Sequence, residues 1–230
     1  MRSINDADEQ YEGCHCCSEA SACTDCWCMI RFGSHNYDAR KCLISEQHAP
    51  IFECNSQCSC SMETCRNRVS QQGDQSEHVD LFTSLDKGHG VIAKRSLPYP
   101  GTFVGEYVGE ILSEIDARQR METTKGFEHN YLLLYNEHQS NRIIKTFVDA
   151  RYFGNWTRFI NHSCDPNLHV VPIRIDQPEP PHLAFFTRRP IEINEELSYS
   201  YGDQIDVNLS KPCHCSSSSC RGFMPYQTTD

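Results

Sequence analysis

Residues 158–167 read RFINHSCDPN and contain Cys164, which lies far from every other cysteine of the chain. The chain has fifteen cysteines, and the other fourteen lie within the first 65 residues or the last 18. An isolated thiol can be a buried core group, a nucleophile beside a base such as His162, or a metal ligand completed by distant cysteines. If Cys164 is a metal ligand, cysteines from a distant part of the chain must lie next to residues 158–167 in the folded protein.

The charge of the chain favours a basic partner. Its 230 residues carry a formal net charge of -10, whereas a nucleic-acid binder normally presents a basic face. We therefore expect no direct binding to nucleic acid. No apolar stretch has the length of a membrane span or the features of a secretory signal, so we expect neither.

The cysteine content favours metal binding over disulfides. Without a secretory signal, a cysteine-rich chain is expected in a reducing compartment, where dense cysteine indicates metal coordination. Eleven cysteines fall within residues 11–66, and their repeated C-x-C spacing brings thiolates too close together for separate tetrahedral sites. Such spacing is typical of a cluster in which some sulfurs bridge two metal ions.

Nine of these cysteines suffice for a cluster of three zinc ions. Three zinc ions with four ligands each need twelve metal–sulfur bonds, and nine thiolates supply twelve if three of them bridge. Cys17 and Cys42 are then left over, and a single zinc ion with spare buried thiols is the alternative. The predicted ligands are Cys14, Cys16, Cys23, Cys26, Cys28, Cys54, Cys58, Cys60 and Cys65.

The middle of the chain has the composition of a domain rich in short strands. One helix is predicted over 113–123, with Ser113 as its cap and Asp116 three residues on. Pro172 and Pro190 predict edge or terminal positions for their strands. Runs of β-branched and aromatic residues predict strands within 103–111, 131–135, 142–149, 169–175 and 182–187.

Six motifs, in this order, give the chain a resemblance to a known family. The nine-cysteine arrangement followed by NRV resembles a pre-SET region, and CHCSSSSC at 213–220 resembles a post-SET motif. Between them, four further motifs resemble those of a SET domain, so the chain is similar to the SET-domain histone-lysine methyltransferases. These four are GHG (88–90), GEYVGE (105–110), RFINHSCDPN (158–167) and EELSYSYG (195–202).

The resemblance implies a mostly β fold of short curled sheets with a pseudoknot-like threaded C-terminal segment. A loop-rich N-terminal region with three zinc ions and a short zinc-bound C-terminal tail accompany this SET fold. The implied divisions are a pre-SET zinc-cluster region at 10–75, a SET catalytic domain at 76–205 and a post-SET tail at 206–230. In the family, the cysteine of NHSC binds a fourth zinc ion together with the post-SET cysteines. The corresponding ligands here are Cys164, Cys213, Cys215 and Cys220.

The activity implied by the resemblance is methyl transfer from S-adenosylmethionine to a deprotonated lysine amine, by in-line displacement. The implied substrate is the histone H3 tail, at lysine 9 or lysine 36, or another basic lysine-containing peptide. The resemblance also implies a nuclear, chromatin-associated protein that acts as a monomer. A catalytically weak SET-fold binding module and a methyltransferase of a non-histone protein are the alternatives.

Three tyrosines match catalytic positions of the family. Tyr201 matches the catalytic tyrosine at the methyl-transfer pore. Tyr199 matches a Phe/Tyr position that affects how many methyl groups are added, and Tyr131 matches a tyrosine near the lysine channel. In the absence of motifs, core packing would be the ordinary role of a strand tyrosine.

Eight residues match cofactor contacts of the family. Two departures bear on activity, since the family usually has tryptophan at the position of His89 and aspartate at that of Ser200. Because the catalytic tyrosine and the Asn–His pair are retained, an active enzyme is expected. The matched cofactor residues are Gly88, His89, Gly90, Tyr152, Arg158, Asn161, His162 and Phe223.

Overall fold

The structure is a computed structural model that describes residues 13–14, 28, 35–44, 50–123, 130–139, 142–177, 179–206 and 210–225. Three predicted zinc ligands, Cys16, Cys23 and Cys26, lie outside the described residues.

Short strands dominate the described part of the chain. One α-helix, α1 (Glu114–Thr123), and two 3-10 helices, Ser76–His78 and Trp156–Phe159, accompany them. The strands are β1 (Ile51–Phe52), β2 (Val79–Ser84), β3 (Gly88–Ala93), β4 (Phe103–Glu106), β5 (Glu110–Leu112), β6 (Leu132–Gln139), β7 (Arg142–Asp149), β8 (Asn161–His162), β9 (Leu168–Arg174), β10 (His182–Thr187) and β11 (Ser198–Tyr199).

The helix predicted over 113–123 is confirmed, since α1 spans Glu114–Thr123 with Ser113 as its cap. The Ser113 hydroxyl donates to Asp116 Oδ2 at 2.6 Å, and the Asp116 backbone N–H donates back to Ser113 Oγ at 3.2 Å. This reciprocal cap satisfies a backbone donor of the first turn. The helix is anchored by Arg120, whose guanidinium bridges Glu110 on β5 at 2.8 Å and Asp149 on β7 at 2.7 Å.

A four-stranded sheet in the order β1-β9-β10-β4 carries the main core. β9 is an interior strand of this sheet, although Pro172 lies within it. β1 pairs in parallel with Ile173 and Arg174 alone, so Pro172 lies just beyond it, where β9 is locally an edge. The edge prediction therefore holds for the residue but not for the whole strand.

Two further sheets frame the candidate site. β2 and β3 form an antiparallel pair, and β5, β7 and β6 form a three-stranded antiparallel sheet in that order. Gly109, just before β5, lies so close to β7 that a Cβ there would meet the Asp149 carbonyl oxygen at 2.6 Å. A side chain at this position would push the two strands apart.

The C-terminal segment is held against residues 161–167, as the pseudoknot-like prediction requires. β11 pairs in parallel with β8, with Ser198 opposite Asn161 and Tyr199 opposite His162. The Asn167 carboxamide donates to the Glu196 carbonyl at 2.8 Å and accepts from the Ser198 N–H at 2.9 Å. Backbone and side-chain hydrogen bonds thus fix this crossing, and the predicted mostly β architecture is confirmed.

Among the described residues, no helix combines the length and the apolar character needed to cross a membrane.

Candidate active site and zinc sites

The crossing of β8 and β11 brings the two motif tyrosines beside the NHSC segment. The rings of Tyr199 and Tyr201 have centroids 4.7 Å apart, and the ring of His162 lies 5.4 Å from that of Tyr201. The Tyr201 N–H also donates to His162 Nδ1 at 3.2 Å. Two segments separated by more than thirty residues in sequence therefore form one aromatic cluster.

The hydroxyl of Tyr201 has a defined orientation. It donates to the backbone carbonyl of Ile160 at 2.9 Å, so its oxygen lone pairs are directed elsewhere. Burial, followed by the nearby Tyr131 and Glu196, raises the pKa of Tyr201 above its ordinary value. The group is therefore a neutral hydroxyl at physiological pH, able to accept a hydrogen bond from an amine.

Tyr199 lies deeper in the same cluster. Its ring meets Phe185 edge-on with centroids 4.9 Å apart, and burial raises the pKa of its hydroxyl well above the ordinary value. Such contacts on several sides leave the ring little freedom to move.

Tyr107 belongs to this cluster and was given no role by the sequence analysis. It is buried, its ring lies 6.2 Å from Phe185, and its hydroxyl donates to the Tyr131 carbonyl at 2.6 Å. The signal was present in the quoted motif GEYVGE, where the tyrosine stands between two glycines that must pack closely. Tyr107 is thus a third tyrosine ring of the candidate site, and it fixes the backbone of the predicted channel residue Tyr131.

Arg158 joins the cluster to the adjoining loop. Its guanidinium lies 5.2 Å from the ring centre of Tyr131 and 4.7 Å from that of Phe159, within cation–π range. Nη1 donates to the Ala150 carbonyl at 3.0 Å, whereas the buried Nε has no hydrogen-bond partner in the described structure. A buried donor without a partner is the kind of group that a bound ligand satisfies.

The predicted glycine-flanked turn is the start of β3 in the structure, and it lies beside Asn161, whose Nδ2 donates to the His89 carbonyl at 3.1 Å. Gly88 has φ 72°, in the left-handed region that favours glycine. A Cβ at Gly90 would lie 2.5 Å from the Phe82 ring and 2.9 Å from Asn161 Nδ2, so only glycine fits between them. The ring of His89 is exposed, bonded to Thr83 Oγ1 at 3.2 Å and packed edge-on against Phe159.

Two predicted cofactor residues lie at the periphery. Tyr152 is 69% exposed, with the Arg120 guanidinium 5.9 Å from its ring centre. Phe223 is half-buried and forms a backbone bridge with Pro212 at the base of the C-terminal tail. The described contacts of Tyr152 and Phe223 lie outside the tyrosine cluster, and their roles in cofactor binding remain predictions.

Cys164 meets the C-terminal cysteines, as the sequence resemblance implied. The Sγ atoms of Cys164 and Cys213 are 3.9 Å apart, and the four sulfurs of the group all lie within 4.8 Å of one another. Four thiolates held at about 2.3 Å by a central zinc ion lie about 3.8 Å apart, so the spacing fits a tetrahedral site. The group consists of Cys164, Cys213, Cys215 and Cys220.

His162 also touches Cys164, with its Nε2 3.5 Å from Sγ. The cysteine–histidine contact needed for a nucleophilic thiol therefore exists. The same sulfur, however, has three cysteine neighbours and accepts the Arg221 N–H at 3.4 Å, which suits a metal ligand better. Burial, and then the Arg221 charge, lowers the pKa of His162 to about 4, so the ring is neutral.

The N-terminal cysteines that the structure describes form two groups that share one sulfur. Cys54 Sγ lies 3.9 Å from Cys14 Sγ and 3.8 Å from Cys65 Sγ, distances that match the edge of a zinc tetrahedron on both sides. A shared sulfur is what a bridging ligand requires. The groups are Cys14, Cys28, Cys54 and Cys58 in one and Cys54, Cys60 and Cys65 in the other.

The leftover Cys42 is separate from both groups. Its buried Sγ lies 3.8 Å from Thr102 Oγ1, and among the described residues it enters no candidate metal cluster. Cys17 lies outside the described residues.

The fold, the crossed segments and the cysteine groups are those of a SET-domain protein with a pre-SET region, and the chain belongs to this family. The SET domain profile matches residues 88–202 and the Pre-SET motif profile matches residues 1–68. Its relatives place it among the histone-lysine N-methyltransferases.

Particular members can be named. The Histone-lysine N-methyltransferase SETMAR of Bos taurus is 38% identical over 238 residues, which cover 95% of this chain and 76% of that protein. The crystal structure of the methyltransferase domain of human SETMAR superimposes with a TM-score of 0.81 at 38% identity, covering 94% of this chain and 81% of that one.

Two other similar structures contain a cofactor. Arabidopsis thaliana SUVH6 in complex with SAM has a TM-score of 0.78 at 28% identity and covers 93% of this chain. KRYPTONITE in complex with mCHH DNA, an H3(1-15) peptide and SAH has a TM-score of 0.72 at 26% identity and covers 94% of this chain. This chain matches 47% of the SUVH6 chain and 44% of the KRYPTONITE chain.

Proposed function

We propose that this protein methylates a lysine of the histone H3 tail, lysine 9 or lysine 36, with S-adenosylmethionine as methyl donor. The observation that carries the proposal is the convergence of Tyr201 and Tyr199 on the NHSC segment, beside a four-cysteine site, with Tyr107 packed against Phe185 in the same aromatic cluster. The pre-SET, SET and post-SET portions are taken as residues 10–75, 76–205 and 206–230.

The protein must first favour the neutral lysine amine. An unperturbed lysine has a pKa near 10.4, so deprotonation at pH 8 costs roughly 3 kcal/mol. A site walled by Tyr199, Tyr107 and Phe185 disfavours an ammonium ion through poor solvation. No carboxylate–histidine pair is required, because the amine loses its proton to solvent before the reaction and the leaving thioether is neutral.

Positioning is the second task of the chain. The Tyr201 hydroxyl already donates to the Ile160 carbonyl, so it would accept an N–H from the substrate amine and aim the nitrogen lone pair. A fixed acceptor of this kind contributes most when the amine must adopt a single orientation in the transition state.

The described residues fit S-adenosylmethionine. Arg158 offers an unpartnered buried donor, Gly90 packs directly against Asn161 without a side chain, and neutral His162 adds no positive charge beside a cationic sulfonium. The remaining residues proposed to hold the cofactor are Gly88, His89, Tyr152 and Phe223. When bound, this cofactor supplies an activated methyl group on a positively charged sulfur.

A basic substrate fits the charge of the chain. The net charge of -10, made more negative by zinc–thiolate clusters, would steer a cationic histone tail to this surface. The KRYPTONITE structure holds an H3 peptide, which supports the same choice of substrate. We accordingly propose a nuclear protein that acts on chromatin as a monomer, without direct binding to nucleic acid.

The test is methylation of an H3 peptide array by the purified chain, with mass-spectrometric detection of the modified lysine. We expect methyl transfer at lysine 9 or lysine 36 and none to a peptide with arginine at the modified position. Activity confined to non-histone peptides would refute the histone assignment. Failure to bind S-adenosylhomocysteine in calorimetry would refute the methyltransferase assignment itself.

Zinc content tests the cysteine assignment. We expect about four zinc ions per chain, three in the N-terminal cluster and one at Cys164. Removal of zinc with a strong chelator should unfold the N-terminal region, because metal binding supplies folding free energy there. The measurements are elemental analysis and circular dichroism. One or two zinc ions in a fully active preparation would contradict the cluster.

Tyr199→Phe should change the number of methyl groups added more than it changes affinity. Its ring is wedged between Phe185 and Tyr201, so loss of the hydroxyl oxygen frees space beside the amine without moving the ring. The wild type should stop at mono- or dimethylation, and the variant should proceed further. Mass spectrometry of the product over time measures this. An unchanged product distribution would contradict the role given to Tyr199.

A further inference from the structure

A charged pair that was given no role above contacts the candidate cofactor site. Lys87, in the turn between β2 and β3, forms an ion pair with Glu196, which lies two residues before Ser198 at the start of β11. The other carboxylate oxygen of Glu196 accepts a hydrogen bond from Asn161 Nδ2 at 3.1 Å. Lys87 and Glu196 are 109 residues apart in sequence, so the tertiary fold alone creates the contact.

The pair determines which way the Asn161 carboxamide faces. Nδ2 donates to two acceptors, the Glu196 carboxylate and the His89 carbonyl, each at 3.1 Å. Neither acceptor can donate, so the amide oxygen cannot occupy the position of Nδ2. Oδ1 must therefore point away from both, and it is left as an acceptor on the side opposite β3.

Lys87 is less exposed than a typical surface lysine, which favours a role in holding Glu196 in place. The Lys87 and Glu196 side chains are 22% and 29% exposed, and the ammonium lies 5.9 Å from the Phe82 ring centre. Lys94, just after β3, and Asp80, on β2, form a second ion pair at 3.6 Å, and their side chains are 46% and 58% exposed. Poorer solvation makes the Lys87–Glu196 pair the stronger constraint.

The Phe82 ring lies next to both Lys87 and Gly90 of β3. It is the ring that a Cβ at Gly90 would strike at 2.5 Å. The Lys87 ammonium therefore lies near the Phe82 ring, and Gly90 packs against the same ring. Gly90 also packs against Asn161 Nδ2. Movement of Lys87 would disturb two sides of the proposed cofactor pocket.

We infer that Lys87 and Glu196 are positioning residues for cofactor binding, which hold the Asn161 carboxamide with Oδ1 available to a donor group of the cofactor. Lys87 also neutralises Glu196, so that the carboxylate can accept from Asn161 without leaving an unpaired negative charge in a partly buried place. This inference rests on the proposed function, because the ligand it concerns is the adenosyl cofactor.

The test compares Lys87→Met, Lys87→Arg, Glu196→Gln and the control Lys94→Met in the full-length chain. Binding of S-adenosylhomocysteine is measured by calorimetry, and KM for S-adenosylmethionine and kcat are measured on an H3 peptide. Lys87→Met and Glu196→Gln should each weaken cofactor binding by about tenfold, since a charge-assisted hydrogen bond is lost. Lys87→Arg should restore most of the affinity, and Lys94→Met should match the wild type.

Two further readouts separate positioning from simple loss of stability. The double variant Lys87→Met/Glu196→Gln should bind no more weakly than Glu196→Gln alone, because one unit has been broken in either case. The change should also fall mainly on KM for the cofactor rather than on KM for the peptide.

Equal binding by Lys87→Met, Glu196→Gln and Lys94→Met would overturn the inference while the wild type remained active. Additive losses in the double variant, or a loss that Lys87→Arg does not restore, would overturn it as well. A wild type that fails to bind S-adenosylhomocysteine would instead overturn the proposed function. If Lys87→Met is unfolded at the assay temperature, S-adenosylhomocysteine binding by Glu196→Gln and Lys87→Arg tests the inference instead.

Discussion

Tyr201→Phe should reduce turnover by about a hundredfold or more, since removal of one positioned hydrogen-bonding group from a transition state typically costs that much. The hydroxyl donates to the Ile160 carbonyl and so presents its lone pairs to the amine in a fixed direction. Phenylalanine keeps the ring packing against Tyr199 and His162 but cannot accept from the amine. The loss should therefore appear in kcat measured on an H3 peptide.

Tyr135→Phe is the matched control for this change. Tyr135 lies on β6 and is a partly buried tyrosine at the margin of the same core. It should keep near-normal activity. Binding of S-adenosylhomocysteine by Tyr201→Phe should also remain close to normal. If Tyr201→Phe and Tyr199→Phe slow the reaction equally and give the same products, the separate roles of the two tyrosines are wrong.

Cys164→Ser should remove one zinc ion and lower activity at least about tenfold, because loss of a ligand releases the tail that the metal holds near the active site. The Cys164 sulfur anchors this tail through the Cys213 sulfur at 3.9 Å and the Arg221 N–H at 3.4 Å. It also contacts His162, which in turn accepts the Tyr201 N–H. His162 is therefore the one side chain through which a change at Cys164 would reach Tyr201, the proposed catalytic tyrosine.

The N-terminal cluster should be intact in Cys164→Ser, so about three zinc ions should remain per chain. Cys42→Ser is the matched control, because Cys42 is buried, belongs to no candidate metal group of the described residues, and should lose no zinc. A Cys164→Ser protein that retains the full wild-type zinc content would show that Cys164 is not a ligand. A fully inactive protein with normal zinc would instead support the nucleophile alternative.

Much of the local structure could be predicted from the sequence because it depends on near neighbours. The predicted strands at 142–149 and 182–187 coincide with β7 and β10, since alternation and β-branched content act within a strand. The cap at Ser113 likewise needs only Asp116, three residues away. The edge prediction from Pro172 was wrong for β9 as a whole, because strand order is a property of the whole sheet, but it holds at Pro172 itself, where β1 is too short to pair.

The sequence by itself determined the chemistry that this protein can perform: the tyrosines of ELSYSY, the Asn–His pair and enough thiolates for zinc clusters. Only the tertiary structure decided which of these groups meet. The Cys164 sulfur lies next to that of Cys213, the Tyr107 hydroxyl donates to the Tyr131 carbonyl, and Lys87 forms an ion pair with Glu196. The periodicity of the sequence does not predict these contacts. The physical reason is that residue type and local spacing determine which bonds a side chain can form. Strand register and the crossing of β8 with β11 determine which side chains lie close enough to form them.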